Sequence, residues 1–222
     1  MVKVPYGTRK WRRTVTHRKP ENRKSFFDRV EANDHAFTRL EVAGLRWAYM
    51  GGKYLHRAQL RKAETWPDGR PVRYFEHVRG AALILVDELE IFDVRLIMAL
   101  FLHDGREDRR EELDWDMVEL IGGPELVRIL KLLTKEPEKG YIERLWKFGT
   151  WKTLICKACD RLDNLRSLPG CGPEKIRKQV KETKEKYFPL FKQMVAVAPP
   201  EHKEATRVVF EKIRNLTAIL EE

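Results

Sequence analysis

Val94-Arg95-Leu96-Ile97-Met98-Ala99-Leu100-Phe101-Leu102 runs straight into His103-Asp104-Gly105-Arg106-Glu107-Asp108-Arg109-Arg110. The first nine residues are apolar except for Arg95, and a segment apolar all round reads as a buried helix. Directly behind it the chain presents an imidazole and three carboxylates. Such groups are expensive to bury unpaired, and a metal ion is the economical compensation. If helical, His103 and Glu107 lie about 40° apart around the axis, as do Asp104 and Asp108.

Outward from this stretch the pattern is helical almost throughout. Ser25 is read as the cap of a short helix beginning at Phe26. A longer helix is expected over about Ala36 to Lys62, interrupted in quality by Gly44 and Gly51-Gly52. Trp66 to Pro71 is a turn by composition, and a helix from about Tyr74 to Leu89 follows, with Asp93 capping the buried one. Downstream, Asp114 or Asp116 caps a short helix through Ile121. Gly122-Gly123 stops it, and Pro124 takes the favoured first position of the next. There Leu126, Ile129, Leu130 and Leu133 form one apolar stripe. A long helix over Tyr141 to Leu168 and two more over 174–196 and 201–220 complete the reading. No period-2 strand is evident. The expected fold is all-α: a single helical domain over 34–222, preceded by a basic extension over 1–33.

The composition of the 222 residues excludes several classes. No run is long and apolar enough for a membrane span, no secretory signal is evident, and three cysteines do not make a disulfide framework. A reducing cytoplasm fits. The net charge of +10 is concentrated: residues 1–30 hold ten Lys/Arg against Glu21 and Asp28, leaving a net of only +2 beyond them. Such an arm suits nucleic acid, with Tyr6 and Trp11 placed to stack on bases, or serves as a solvated or subunit-docking extension. Cys156-x-x-Cys159 lies mid-helix without a second pair and reads as core. Trp47, Trp115, Trp146 and Trp151 read as core or boundary packing.

Metal-ligand types stand at three places: His77 at the start of a helix, His103-Asp104, and Asp160. Lys157, Asp160 and Asn164 share one face of the long helix, which taken alone reads more readily as solvated surface. Together the two imidazoles and two carboxylates make a mixed N/O set suited to Mn²⁺, Fe²⁺ or Zn²⁺. Glu107 and Asp108 are then placed to deprotonate a water whose pKa the ion lowers.

These residues carry a resemblance. Gln59-Leu60-Arg61-Lys62, Gly69-Arg70-Pro71 and Tyr74-Phe75-Glu76-His77 are similar to the Q-x-R-K, G-x-P and Y-x-x-H motifs of the RelA/SpoT hydrolase domain, a branch of the HD phosphohydrolases. His103 to Asp108 resembles its HD-x-x-ED. Gly122 to Val127 and Leu133-Thr134-Lys135 resemble its FG-x-E-V and V-T-K. Lys157 to Leu168 resembles K-x-A-D-R-L-x-N-M-R-T-L. The ordered set covers about residues 43–192.

The resemblance implies an HD-type enzyme acting on the alarmones ppGpp and pppGpp. His77, His103, Asp104 and Asp160 would hold one Mn²⁺, and Glu107 and Asp108 would activate the water that releases the 3′-pyrophosphate. Arg61, Lys62, Tyr74 and Asn164 would contact the guanosine nucleotide, with Lys157 and Arg161 as further cations and Lys135 beside them. Ala63 to Trp66 lengthen the turn relative to the family. That departure leaves open a different nucleotide, such as NADPH with its 2′-phosphate. A regulatory RNA- or ribosome-binding role through the basic arm is also open.

Overall fold

The computed structural model describes residues 21–31, 37–109, 111–135 and 139–222, apart from the side chains at positions 63 and 108. Most of the basic arm, including Tyr6 and Trp11, lies outside the described residues. Helix α1 spans Arg23–Glu31 and α2 Arg39–Leu55, followed by an antiparallel hairpin of β1 (Leu60–Thr65) and β2 (Pro71–Arg73). Next come α3 (Phe75–Leu83), prolonged by a π-helical turn over Ile84–Glu88, then α4 (Val94–Leu102) and the single turn α5 (Gly105–Asp108). The remainder is α6 (Trp115–Leu133), α7 (Tyr141–Phe148), α8 (Trp151–Ser167), α9 (Pro173–Glu182), α10 (Phe188–Val197) and α11 (Pro200–Glu221).

Helix α4 is the hub, packed against α2, α3, α6 and α8. Every residue from Leu96 to Leu102 is buried, as an all-apolar segment requires. Asp93 caps it, its Oδ1 accepting from the Arg95 and Leu96 amides. Phe101 sits in an aromatic cluster with Phe26, Tyr49 and Phe75, ring centroids 5.2–6.3 Å apart. Gly52 on α2 makes the closest approach, since a Cβ there would overlap the Phe101 carbonyl oxygen. Helix α8 lies across α3, α4, α10 and α11, so His77, His103 and Asp160 all stand on elements of one core.

Several expectations are refined. Asn22, not Ser25, caps α1, its Oδ1 accepting from the Ser25 amide, so the helix begins earlier. Helix α1 falls within the stretch read as an extension, yet Phe26, Phe27 and Val30 join the common core. The helix expected through Lys62 ends at Leu55, and a hairpin replaces its last turns. That hairpin shows no alternation because half of β1 is charged (Arg61, Lys62 and Glu64) and only Val72 of β2 is fully buried. Gly123, at φ 78°, divides α6 where the glycine pair and Pro124 indicated. Gly149 and the Thr150 cap split the helix expected over Tyr141 to Leu168. Trp146 is half exposed, at 51%, rather than packed.

At the far end of α3, Glu88 ties three helices together. Its carboxylate accepts from both Nη atoms of Arg166 on α8, at 2.5 and 2.8 Å, and from Lys212 Nζ on α11 at 2.6 Å. Burial raises the Glu88 pKa, but the Arg166 and Lys212 bonds outweigh it and hold the group below its usual value. A carboxylate depressed in the folded state stabilises above its unfolded pKa, and that stability is lost as pH falls through the folded value. Glu88→Gln is therefore expected to cost about 1–2 kcal/mol at pH 7. In acid denaturant titrations the difference from wild type should shrink below about pH 4. Gly52→Ala gains about 1 kcal/mol in helix propensity but loses about 1–3 kcal/mol to overpacking. Because the obstacle is a backbone carbonyl that cannot rotate away, a net fall in the unfolding midpoint is expected.

Candidate active site

Four elements deliver one cluster. His77 lies in the first turn of α3, His103 caps the C-terminus of α4, Asp104 precedes α5, and Asp160 sits in the middle of α8. His77 Nε2 is 3.2 Å from Asp160 Oδ1 and 3.7 Å from Asp104 Oδ2. His103 Nε2 is 3.1 Å from Asp104 Oδ2 and 3.6 Å from Asp160 Oδ1. Both Nδ1 atoms point elsewhere and are bonded: His77 to Asp163 at 2.6 Å, His103 to the Leu100 carbonyl at 2.9 Å.

The two Nε2 atoms are buried and make no hydrogen bond. With each Nδ1–H given to an acceptor, a neutral imidazole presents its Nε2 lone pair inward. Two lone pairs and two carboxylates facing one point repel unless a cation stands between them. Ligand atoms about 2.0–2.2 Å from an ion lie roughly 3–4 Å from each other, as these do. The ligand atoms of His77, His103 and Asp160 fall within 4.8 Å of one another. The donor set therefore fits a divalent ion. Without one, burial opposes charge on each imidazole, and Arg61 opposes it at His77, yet the carboxylates prevail. They lift His77 to about 9 and His103 well above its ordinary value; burial pushes Asp104 and Asp160 up, but the imidazoles, joined by Lys157 at Asp160, hold both carboxyls far below their ordinary value. The cluster therefore favours positive charge at its centre.

A cleft of about 590 Å³ opens over the cluster, within the range of small-molecule sites. Glu107 and Asp104 lie in its wall. Glu107 Oε1 accepts from the Lys135 amide at 2.7 Å, while burial and the Asp104 charge raise its pKa, the direction that suits a proton acceptor near neutral pH. The Asp108 side chain lies outside the described residues.

The positions read as nucleotide contacts meet in the same cleft: Arg61, Lys62, Tyr74, Lys157, Arg161 and Asn164 all line it. Most already have partners. Lys157 Nζ donates to Asp160 Oδ2 at 2.6 Å and is buried, which settles the face that sequence left open between site and solvated surface. Asn164 Nδ2 donates to Asp160 Oδ1 at 2.6 Å, and its Oδ1 accepts from Arg61 at 3.1 Å. The Tyr74 hydroxyl donates to Asp104 Oδ2 at 2.6 Å, and burial followed by the Asp104 charge raises its pKa. Arg161 stacks on Tyr187, 4.0 Å from the ring centroid, and donates to Gln179.

Some participants were not legible. Asp163 occupies a position that the motif leaves free. Glu64 belongs to the lengthened turn; it is buried and accepts from Arg61 Nε at 3.0 Å. Ser167 accepts from the same guanidinium at 2.6 Å. Only the i+3 and i+7 spacing of Asp163 and Ser167 from Asp160 hinted at a shared neighbourhood.

No protein-family model matches the chain. The chain is 35% identical over 126 residues to the guanosine-3′,5′-bis(diphosphate) 3′-pyrophosphohydrolase MESH1 of Danio rerio, covering 54% of this chain and 66% of the relative. It is 31% identical over 149 residues to the protein of that name from Drosophila melanogaster, covering 64% of this chain and 77% of the relative. The bifunctional (p)ppGpp synthase/hydrolase SpoT of Escherichia coli K12 is 30% identical over 161 residues, and the match spans only 22% of its length. One solved structure, described as a metazoan ortholog of SpoT that hydrolyzes ppGpp and plays a role in starvation responses, aligns with a TM-score of 0.58 at 25% identity. That alignment covers 82% of this chain and 98% of the other. With its predominantly helical scaffold, its buried His-Asp cluster and these relatives, the chain belongs to the MESH1/SpoT family of HD-type hydrolases.

Proposed function

We propose that this chain is a Mn²⁺-dependent (p)ppGpp 3′-pyrophosphohydrolase, converting ppGpp or pppGpp to GDP or GTP and pyrophosphate. The observation that carries the reading is the pair of unbonded, buried Nε2 atoms facing Asp104 and Asp160 at the floor of a cation-lined cleft. His77, His103, Asp104 and Asp160 would hold the ion, which supplies Lewis acidity toward a phosphoryl oxygen and lowers the pKa of a water. The mixed N/O donors suit Mn²⁺.

The rest is the work of side chains. Glu107, with Asp108 beside it in sequence, accepts the proton of the attacking water. The water oxygen bonds to the phosphorus carried on O3′, the P–O3′ bond breaks, and O3′ leaves as the ribose hydroxyl after gaining a proton. Lys157 holds Asp160 in place and, with Arg161 and Lys135, faces the phosphates with positive charge. Arg61, Lys62, Tyr74 and Asn164 line the part of the cleft that takes the nucleoside.

Arg61 is fixed along its N–H edge by Glu64, Asn164 and Ser167, and one face of its guanidinium lies over the Tyr74 ring, 5.6 Å from the centroid, which leaves the other face for stacking. The catalytic unit proposed is residues 34–222 together with α1. No described helix is long and apolar enough to cross a membrane, and we assign the cytoplasm as compartment because Cys156 and Cys159 are buried in the core as thiols. Nucleic-acid binding by the arm remains a secondary proposal, tested by filter binding with and without residues 1–20.

Incubation with ppGpp and Mn²⁺ should release pyrophosphate and GDP. Phosphate released from NADPH, with ppGpp untouched, would move the substrate assignment to a 2′-phosphatase. Asp160→Ala should lose both the ion, read by metal content, and activity. Glu107→Gln should keep the ion and lower kcat by about 10²–10⁴-fold. A Glu107→Gln enzyme within threefold of wild type would remove that residue from the chemistry.

A further inference from the structure

Asp163 takes no part in the proposed ligand set, yet it is 1% exposed. It stands one turn along α8 from Asp160, and its Oδ2 lies 2.6 Å from His77 Nδ1. An ionised carboxylate only accepts, so Nδ1 is the protonated nitrogen, and Nε2 is left with its lone pair toward Asp104 and Asp160. His103 has a weaker counterpart, because its Nδ1 donates to the neutral Leu100 carbonyl. One imidazole is thus backed by a full negative charge and the other by a peptide dipole.

Taking a carboxylate out of water is costly, and a carbonyl already suffices at His103 to fix the ring. What the carboxylate adds at His77 is charge. Negative charge on the Nδ1 side makes the opposite nitrogen a stronger donor to a metal. Asp163 stands at the position between Leu162 and Asn164 that the motif K-x-A-D-R-L-x-N leaves open.

We propose that Asp163 is a positioning residue that locks the His77 tautomer and strengthens Nε2 as a metal donor, setting the affinity of this site for its divalent ion. The inference rests on the reading of His77 as a ligand.

The test is the affinity of the purified full chain for Mn²⁺ and for Co²⁺, measured by calorimetry and by the Co²⁺ absorption spectrum at a temperature where the protein is fully folded. Asp163→Asn keeps an acceptor and removes the charge; Asp163→Leu removes both. Metal affinity is expected to fall about 10–100-fold in Asp163→Asn and further in Asp163→Leu, with the Co²⁺ bands displaced. A purely structural role would lower the melting temperature of the metal-free protein and leave the dissociation constants of the folded variants within twofold of wild type, which would overturn the proposal. Should neither variant fold, ¹⁵N NMR of the metal-loaded wild type decides: a His77 ring protonated at Nδ1 supports the inference, and one without that proton overturns it. A wild type that binds neither ion would overturn the metal reading itself along with this one.

Discussion

The repulsion between three carboxylates packed around two imidazoles inside a helical core is the constraint on which the rest of this structure depends. Asp104, Asp160 and Asp163 all contact His77 or His103 within 3.7 Å, and Lys157 donates directly to Asp160. Unscreened, such charges are far costlier to bury than any single hydrophobic contact is favourable. The scaffold must therefore supply cohesion elsewhere, and α4 does so. Its seven consecutive buried residues, clamped by the Gly52 approach and the Phe26, Tyr49, Phe75 and Phe101 rings, hold the helix end where His103 and Asp104 begin. The polar cluster sits at the end of the hub rather than across it, so its cost is not spread through the core.

Most of this was legible, for identifiable reasons. A nine-residue run apolar but for Arg95 reads as a buried segment, and the polar burst behind it located one half of the cluster. Gly123-Pro124 and Asp93 carry local physics, a positive φ and a side-chain cap, that tertiary context does not override. The remainder was obscured because its determinants are not local. The hairpin over 60–73 is held by pairing between two short, charged segments, and neither segment announces itself. Thr150 is a competent cap, but the apolar stripe running through it on both sides masked the break.

The site divides in the same way. Ligand types at His77, His103, Asp104 and Asp160 stand out by chemistry and by motif, but their partners do not. Glu64, Asp163 and Ser167 matter only through what they touch, and contact across a hundred residues, as between Arg61 and Ser167, leaves no trace in a single chain. Even the face bearing Lys157, Asp160 and Asn164 was ambiguous by periodicity, because a buried polar stripe and a solvated one look alike until the neighbouring helices are in place.

One consequence of that hidden layer concerns how an anionic substrate would be bound. The guanidinium of Arg61 is engaged by Glu64, Asn164 and Ser167, and the Lys157 ammonium by Asp160. Arg161 is engaged by Gln179 and the Tyr187 ring. On the proposed reading, an anionic nucleotide would exchange partners with these groups instead of claiming unused donors, so the net gain per contact would be small. The benefit is geometric: side chains already held in place lose little further freedom on binding. Asn164 makes the exchange consequential, since one amide receives from Arg61 and donates to the inward-facing oxygen of Asp160. Any movement of Arg61 toward a nucleotide is transmitted through that amide to the oxygen proposed to hold the ion, so the hairpin and the metal cluster share a single hydrogen-bonded chain.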